Sequence, residues 1–567
     1  RAEDNSCYGK FDRKSATDDS DHKTCGRFVF CDSTHGARRD FSRDEQSKLP
    51  KKPGALAAIN LKYDPSIFAQ MKRFELASDV YSRDLSFGIA ALAVLITLRL
   101  TSPFLLNISL FYDEAQYYYW SLTPDWGYFS KPPMVAWIIG LTSELAVEEW
   151  AVRLGSPILY GGAAVIVWRL ARHWLSETQS VWSGVIFISL PLVGFNSMFI
   201  TTDAPLLFFW ALALWAFTKA LQSRKVRFWL MVGAACGLGL LSKYTMGLFL
   251  ICALAFAFRP GYRWILTHPG PYLGAMLAFL IVLPNLWWNE QHNFISFQHT
   301  LEISQLGRTS WSFEDLIEFC LSQLLCLGPW LLILLRSHVG QDLPASAEHN
   351  SDCVGFVCSF TLPVIVTFAL LALTSRANAN WAAPVYVALP IYLASKVVTQ
   401  RHWKLLRFGV LANLMVILGL QLYHPLASVI GFDLNSRSDP YKRVSGWQPL
   451  MQRLTPILEA DPSAIVVSNS RELLSQAAYY ARDGLAPKAS NLVAWNPTDR
   501  IDNHYQLVTR LEPSESSPIL FFSSEKLPLA TLQKFAPASE PIEISVPVYV
   551  DFSRKLFVYK FDAFLGY

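Results

Sequence analysis

The chain has 567 residues, of which 52% are hydrophobic and only 17% charged, and its mean hydropathy is positive. An ordinary soluble domain carries about a quarter of its residues as charges, so these figures exclude a soluble globular protein and point to a chain made for lipid. The net charge of +4 leaves no electrostatic footprint for nucleic acid. The 19 tryptophans, within an aromatic share of 14%, suit belts at the membrane–water interface.

Residues 1–70 are polar and charge-mixed, without the apolar core of a signal peptide. Met71 precedes Lys72-Arg73 and the first long apolar stretch, as an N-terminus would. We expect 1–70 to be a disordered extension or a misassigned start with no part in the chemistry. A bilayer core of about 30 Å needs roughly 20 apolar residues per helix. Hydropathy places eleven spans, at about 86–106, 151–171, 178–198, 203–222, 227–242, 244–258, 268–288, 315–336, 354–374, 381–398 and 404–424.

A twelfth piece, 132–147, is decided by charge. Lys and Arg concentrate in cytoplasmic loops. If 132–147 lies in the interface as an amphipathic helix, the clusters Arg169/Arg172, Lys219/Arg224/Lys225/Arg227, Arg259/Arg263, Arg336 and Lys396/Arg401/Lys404/Arg407 all fall on one side. The N-terminus is then cytoplasmic. Loop 107–131, the turns at Thr201-Thr202-Asp203 and Ser242-Lys243-Tyr244, loop 289–314 and the loop near Arg376 share the outer side.

After Tyr423 the composition becomes that of a soluble protein. Residues 464–468, 518–523 and 543–560 read as strands and 471–482 as a helix, which makes 425–567 a small extracytoplasmic α/β domain. Nine cysteines (Cys7, Cys25, Cys31, Cys236, Cys252, Cys320, Cys326, Cys353, Cys358) show no metal-ligand spacing with His, and none follows Tyr423. A disulfide framework is not expected.

The polar residues of the outer loops carry the candidate chemistry. Asp113-Glu114 are followed by Tyr117, Tyr118, Tyr119 and Trp120. A carboxylate can take a proton from an acceptor hydroxyl and aromatic faces can hold a sugar ring, although the same residues would cap and anchor an interfacial helix. Gly127-Tyr128-Phe129-Ser130-Lys131-Pro132-Pro133 puts a cation before a helix start, where phosphate binds readily; a snorkelling lysine is the plain alternative. Asp203 before Ala204-Pro205 is a natural helix cap as well as a buried acid. Arg153 in the first turn of a span and Lys243 between two spans are ionisable groups at costly depth, which default to function. His292 and His299 in loop 289–314 are lone histidines of the kind that seldom ligate metal. Nothing resembles a phosphate-cradling glycine loop, a nucleophile elbow or a zinc-protease helix.

Taken in order, several segments resemble the bacterial protein O-mannosyltransferase-like glycosyltransferases, family 39 and its relatives, which include the lipid A aminoarabinose transferase. These are Asp113-Glu114, Gly127-Tyr128-Phe129 with Lys131-Pro132-Pro133, Glu149 to Leu154, Thr202-Asp203-Ala204-Pro205-Leu206, Gly237 to Tyr244, and Pro284-Asn285-Leu286-Trp287-Trp288-Asn289. The resemblance covers about 85–310. It implies a polytopic α-helical membrane protein of the type C glycosyltransferase fold, with about eleven spans plus juxtamembrane helices.

It further implies catalysis by Asp113 with Glu114 and Asp203, donor-phosphate binding by Lys131, Lys243 and Arg153, and substrate contacts from Tyr117, Tyr128 and Tyr244. The expected donor is a polyprenyl-phosphate sugar. The expected acceptor is lipid A, lipopolysaccharide core or another glycan, at the outer face of a bacterial inner membrane. Ser130 stands where relatives often have an acid, so no cofactor is certain and a divalent metal ion is left open. A lipid-linked sugar flippase is the rival reading, but transporters place charges near the midplane on broken helices. An assembly protein without activity would leave the outer carboxylates and lysines unexplained.

Overall fold

The computed structural model describes residues 65–567 apart from 107, 306–310, 337–346, 499, 514–517 and 538–539, and only the backbone of 65–83, 335, 336 and 347–350. The expectation for residues 1–70 therefore falls almost wholly outside the described residues. In chain order the helices are α1 (Pro65–Leu105), α2 (Tyr112–Leu122), α3 (Met134–Ser143), α4 (Glu149–Ala171), α5 (Glu177–Ser189), α6 (Pro191–Asn196), α7 (Asp203–Ser223), α8 (Val226–Leu240) and α9 (Leu248–Ala257). They continue with α10 (Pro269–Gln291), α11 (Ile295–Ser304), α12 (Phe313–Leu327), α13 (Leu332–Arg336), α14 (Ala347–Thr374), α15 (Val385–Ser395), α16 (Gln400–Gln421) and α17 (Tyr423–Ile430).

Among the described residues six helices are long and apolar enough to cross a membrane: Asp84–Leu105, Glu149–Ala171, Asp203–Ser223, Pro269–Gln291, Ser351–Thr374 and Gln400–Gln421. The other expected spans are built from shorter pieces. Stretch 178–198 breaks at Leu190, whose ψ of 136° is extended, and Pro191 then starts α6; proline has no N–H to continue the previous turn. Stretch 315–336 breaks at Gly328, held at φ 87° ahead of Pro329. Stretches 227–242, 244–258 and 381–398 hold only α8, α9 and α15 as α-helix, each of 10–15 residues. The α3 helix of 10 residues rises about 15 Å, half of what a crossing needs.

Helices α8 and α10 meet backbone to backbone. A Cβ on Gly233 would lie 2.0 Å from the Gly274 carbonyl oxygen, so only glycine permits this approach, the small-residue packing typical of helices in lipid.

Beyond α17 the chain forms α18 (Trp447–Glu459), β1 (Ile465–Ser468), α19 (Arg471–Tyr480), β2 (Leu492–Ala494), α20 (His504–Val508), β3 (Ile519–Ser523), β4 (Phe535–Ala536), β5 (Ile542–Tyr549), β6 (Phe552–Phe561) and β7 (Ala563–Phe564). The main sheet runs β2-β1-β3-β6-β5, and β4 pairs with β7. The first three strands are parallel, with Val466 facing Leu492 on one side and Leu520 on the other, and β6 and β5 continue antiparallel.

Side chains alternate across this sheet as the strand period requires. Val466, Leu520, Phe522 and Val558 face α18 and α19, while Val467, Phe521, Tyr559 and Phe561 face Trp495, Phe535 and Phe564. The first of these cores does not stop at the sheet. It runs on through Tyr117–Trp120 of α2, Val135 and Ile139 of α3, and Val152 of α4.

Candidate functional site

The five loops that the charge rule places on one side meet at one place, and they contribute Asp113 and Lys131, Asp203, Lys243, His299 and Asn380. Asp113 and Glu114 open α2. A helix turns about 100° per residue, so the two carboxylates leave in different directions.

Glu114 turns into the core, where its side chain is 2% exposed. It accepts from Phe111 N–H at 2.9 Å, closing the first turn of α2, and from Ile200 N–H at 3.0 Å. Arg153 donates to it through Nε at 3.1 Å and Nη2 at 2.9 Å, and also donates to the carbonyls of Ile108 and Ser109 at 3.1 and 2.9 Å. The Arg153 guanidinium is fully buried and spent on these partners. This corrects the expectation that Arg153 holds a donor phosphate and that Glu114 shares in catalysis: the pair ties α2 to α4 and to the turn before α7.

Asp113 points instead into a cavity, with 36% of its side chain exposed and Arg471 of α19 at 3.3 Å. Arg471 also donates to Gln116 Oε1 at 3.1 Å and lies 4.8 Å from the centre of the Tyr112 ring. Burial pushes the Asp113 carboxyl above the ordinary carboxylate range, while the Arg471 and Lys131 charges pull it partly back.

Asp203 begins α7, but its carboxylate does not cap the helix. It accepts from Lys243 Nζ and from Asn380 Nδ2, both at 2.6 Å, and its side chain is 1% exposed. Lys131 stands half-buried before α3, in a turn closed by Tyr128 N–H donating to the Lys131 carbonyl at 3.1 Å. Burial and the Lys243 charge lower its pKa, opposed by Asp113 and Asp203. Among the described residues the Lys131 ammonium has no ion pair. His299, 4.8 Å from the Phe129 ring, is held neutral down to about pH 4 by burial and by the Lys131 and Arg471 charges.

The tyrosines divide. Tyr128 is 1% exposed and stacked on Trp120 at 4.4 Å and 2°, with its hydroxyl donating to the Trp120 carbonyl and accepting from Asp125 N–H. Both ring faces lie in protein, which corrects its expected role against a sugar. Tyr244 donates to Asn285 Oδ1 at 3.2 Å, accepts from Asn289 Nδ2 at 3.3 Å and stacks on Phe297 at 4.6 Å. Tyr117 lies beside Asp113 and lines a cavity with it.

His292 stacks on Trp288 at 4.0 Å and its Nδ1 is engaged by the Trp288 carbonyl at 2.7 Å. Among the described residues no three His, Cys, Asp or Glu side chains gather to hold a metal ion, and Ser130 supplies no carboxylate.

Two cavities adjoin these groups. One of about 520 Å³ is almost wholly apolar and runs between α8, α9 and α10 from Tyr244 and Phe297 down past Cys236, Phe249 and Gly274. The other, of about 340 Å³, lies between Asp113, Tyr117, Thr201 and Phe199 on one side and Tyr441 and Arg443 on the other. Arg471, Asn380 and Arg443 come from segments with no motif of their own, and sequence reasoning missed all three.

Residues 130–288 match the family described as dolichyl-phosphate-mannose-protein mannosyltransferase. The lipid A galacturonosyltransferase RgtD of Rhizobium johnstonii is 28% identical over 74% of this chain and 87% of its own length. An undecaprenyl phosphate-alpha-4-amino-4-deoxy-L-arabinose arabinosyl transferase of Erwinia tasmaniensis is 27% identical over 53% of this chain and 58% of its own. Among solved structures, ArnT from Cupriavidus metallidurans bound to undecaprenyl phosphate superposes with a TM-score of 0.56 at 14% identity, over 83% of this chain and 98% of that one. The fold is that of a membrane-embedded type C glycosyltransferase. Over residues 130–288 the chain is similar to the protein O-mannosyltransferase family.

Proposed function

We propose that the chain transfers a sugar from a polyprenyl-phosphate donor to lipid A or the lipopolysaccharide core at the periplasmic face of a bacterial inner membrane. The observation that carries the reading is one open carboxylate, Asp113, beside Lys131, whose ammonium also feels Lys243, with an apolar cavity starting at the neighbouring Tyr244. The names of the relatives supply the class of donor and acceptor. In this reading the 520 Å³ cavity takes the first isoprene units and the lysines take the phosphate.

Asp113 removes the proton of the acceptor hydroxyl as its oxygen bonds to the anomeric carbon. The carbon–oxygen bond to phosphate breaks on the opposite face, and its electron pair leaves with the phosphate. That group gains charge in the transition state, so cations already in place lower the barrier. Asp203 and Asn380 position Lys243, and neutral His299 offers a sugar hydroxyl a hydrogen bond without adding charge.

Two outcomes test the roles. Lys131→Met, which breaks no ion pair, should weaken undecaprenyl phosphate binding about 10- to 100-fold, the worth of a charge-assisted contact, as read by displacement of a labelled lipid; unchanged affinity takes Lys131 out of the donor site. Arg471→Ala removes the cation that favours ionised Asp113, so the acid limb of the kcat/KM profile should move to higher pH. A limb that stays put would mean that another group titrates.

For the reaction itself, mass spectrometry of lipid A and core from cells with and without the gene should show one glycosyl unit lost. An intact glycan profile with lipid-linked sugar accumulating in the inner leaflet would favour the flippase.

A further inference from the structure

The acceptor needs its own way to Asp113. In a single displacement the nucleophile arrives opposite the leaving group, and the reading above gives the lysines and the apolar cavity to the leaving group. The 340 Å³ cavity is lined by Asp113 and shares no lining residue with the apolar one, and its walls are formed by Tyr117 and Thr201 of the membrane part and Pro440, Tyr441 and Val444 beyond α17. Its volume lies at the small end of ligand sites. Phe195 and Phe199 line it too, and Phe195 is 41% exposed, so its margin suits a molecule that is part lipid.

Arg443 stands in this lining with its side chain exposed. Its carbonyl accepts from Trp447 and Arg554, while its guanidinium has no ion pair among the described residues. Its charge is felt by Tyr112, the same ring on which Arg471 lies. Two guanidinium groups thus flank the approach to Asp113: Arg471 is committed to the carboxylate and Arg443 is free.

Resting on the transferase reading above, we propose that this cavity receives the acceptor headgroup and that Arg443 pairs with an anionic group of it, a phosphate or a sugar carboxylate on the glycolipid. Arg443 then sets acceptor choice, admitting acidic glycolipids and holding the reacting hydroxyl over Asp113. It acts as a positioning residue, so its loss bears on acceptor KM and leaves donor affinity alone.

The test uses the full-length protein in lipid nanodiscs, with the polyprenyl-phosphate sugar donor and three acceptors: bisphosphorylated lipid A, its dephosphorylated form, and lipid A carrying an acidic core sugar. Arg443→Ala should raise acceptor KM roughly tenfold with undecaprenyl phosphate affinity unchanged. Arg443→Lys should recover part of the loss, and Arg443→Glu should lose more. If phosphate is the partner, the Arg443→Ala penalty vanishes on dephosphorylated lipid A; if the core carboxylate is the partner, it appears only with the core sugar present. Equal acceptor KM across the Arg443 variants of an active enzyme, or a loss confined to donor binding, overturns the inference. A wild-type protein that transfers sugar to none of the three overturns the transferase reading itself and this inference with it.

Discussion

Asp113→Asn should reduce sugar transfer by about 10²- to 10⁴-fold, the range that a positioned general base contributes, while the protein still binds undecaprenyl phosphate. The structure gives this variant a second signature. Burial raises the Asp113 carboxyl above its ordinary range, so ionising it costs the folded protein more than the unfolded chain. A carboxyl with a raised pKa stabilises the fold fully below its unfolded pKa, and that contribution is lost as pH rises through the folded value. At neutral pH, Asp113→Asn should therefore melt at a higher temperature than wild type, and the difference should shrink in acid. A variant that loses activity and stability together would point to a structural carboxylate, and one that keeps activity would remove Asp113 from the role of base.

Arg153 should behave in the opposite way. Removing one partner of a buried ion pair leaves an uncompensated charge and costs about 3–5 kcal/mol, a large part of the roughly 5–15 kcal/mol that holds a typical domain. Arg153→Ala would strand Glu114 and release the carbonyls of Ile108 and Ser109 together. We expect little folded protein on size exclusion. Arg153→Lys should do only slightly better, because an ammonium has three donors and no planar fork. A well-folded Arg153→Ala protein with poor donor affinity would restore Arg153 to the phosphate site.

The contrast shows what was legible in the sequence. Apolar stretches located the helices, and α1, α4, α7, α10, α14 and α16 lie under the windows that hydropathy marked. The interruptions at Leu190-Pro191 and Gly328-Pro329 stayed hidden, because hydropathy measures the free energy of transfer to lipid and not the continuity of the backbone. Polar residues in the outer loops and turns singled out Asp113, Lys131, Asp203 and Lys243.

Sequence could not divide labour within that set. Asp113 and Glu114 are neighbours in the chain, and only the helical rotation sends one to the cavity and the other to Arg153. Arg471 and Arg443 sit in stretches of ordinary soluble composition, where an arginine is commonplace, and only the folded chain carries them to a carboxylate more than three hundred residues earlier. The strands at 465–468 and 519–523 lie close to where β-branched and aromatic runs placed them.

The seam between α2 and the sheet region has one more consequence. Tyr118 packs edge-on against Tyr479 at 4.9 Å, Tyr119 lies 4.6 Å from Tyr505, and Trp120 meets His504 at 5.3 Å. Tyr480 donates to Glu149 Oε1 and accepts from Leu110 N–H, and Gln476 donates to the Leu110 carbonyl. By its contacts α2 belongs as much to the region after α17 as to the helices that flank it in sequence. A chimera that exchanged only residues 431–567 with a relative would separate Asp113 from Arg471 and open an aromatic core. The unit of exchange is discontinuous, and a graft that carries 108–131 along with the C-terminal region is the one that should keep Asp113 beside Arg471.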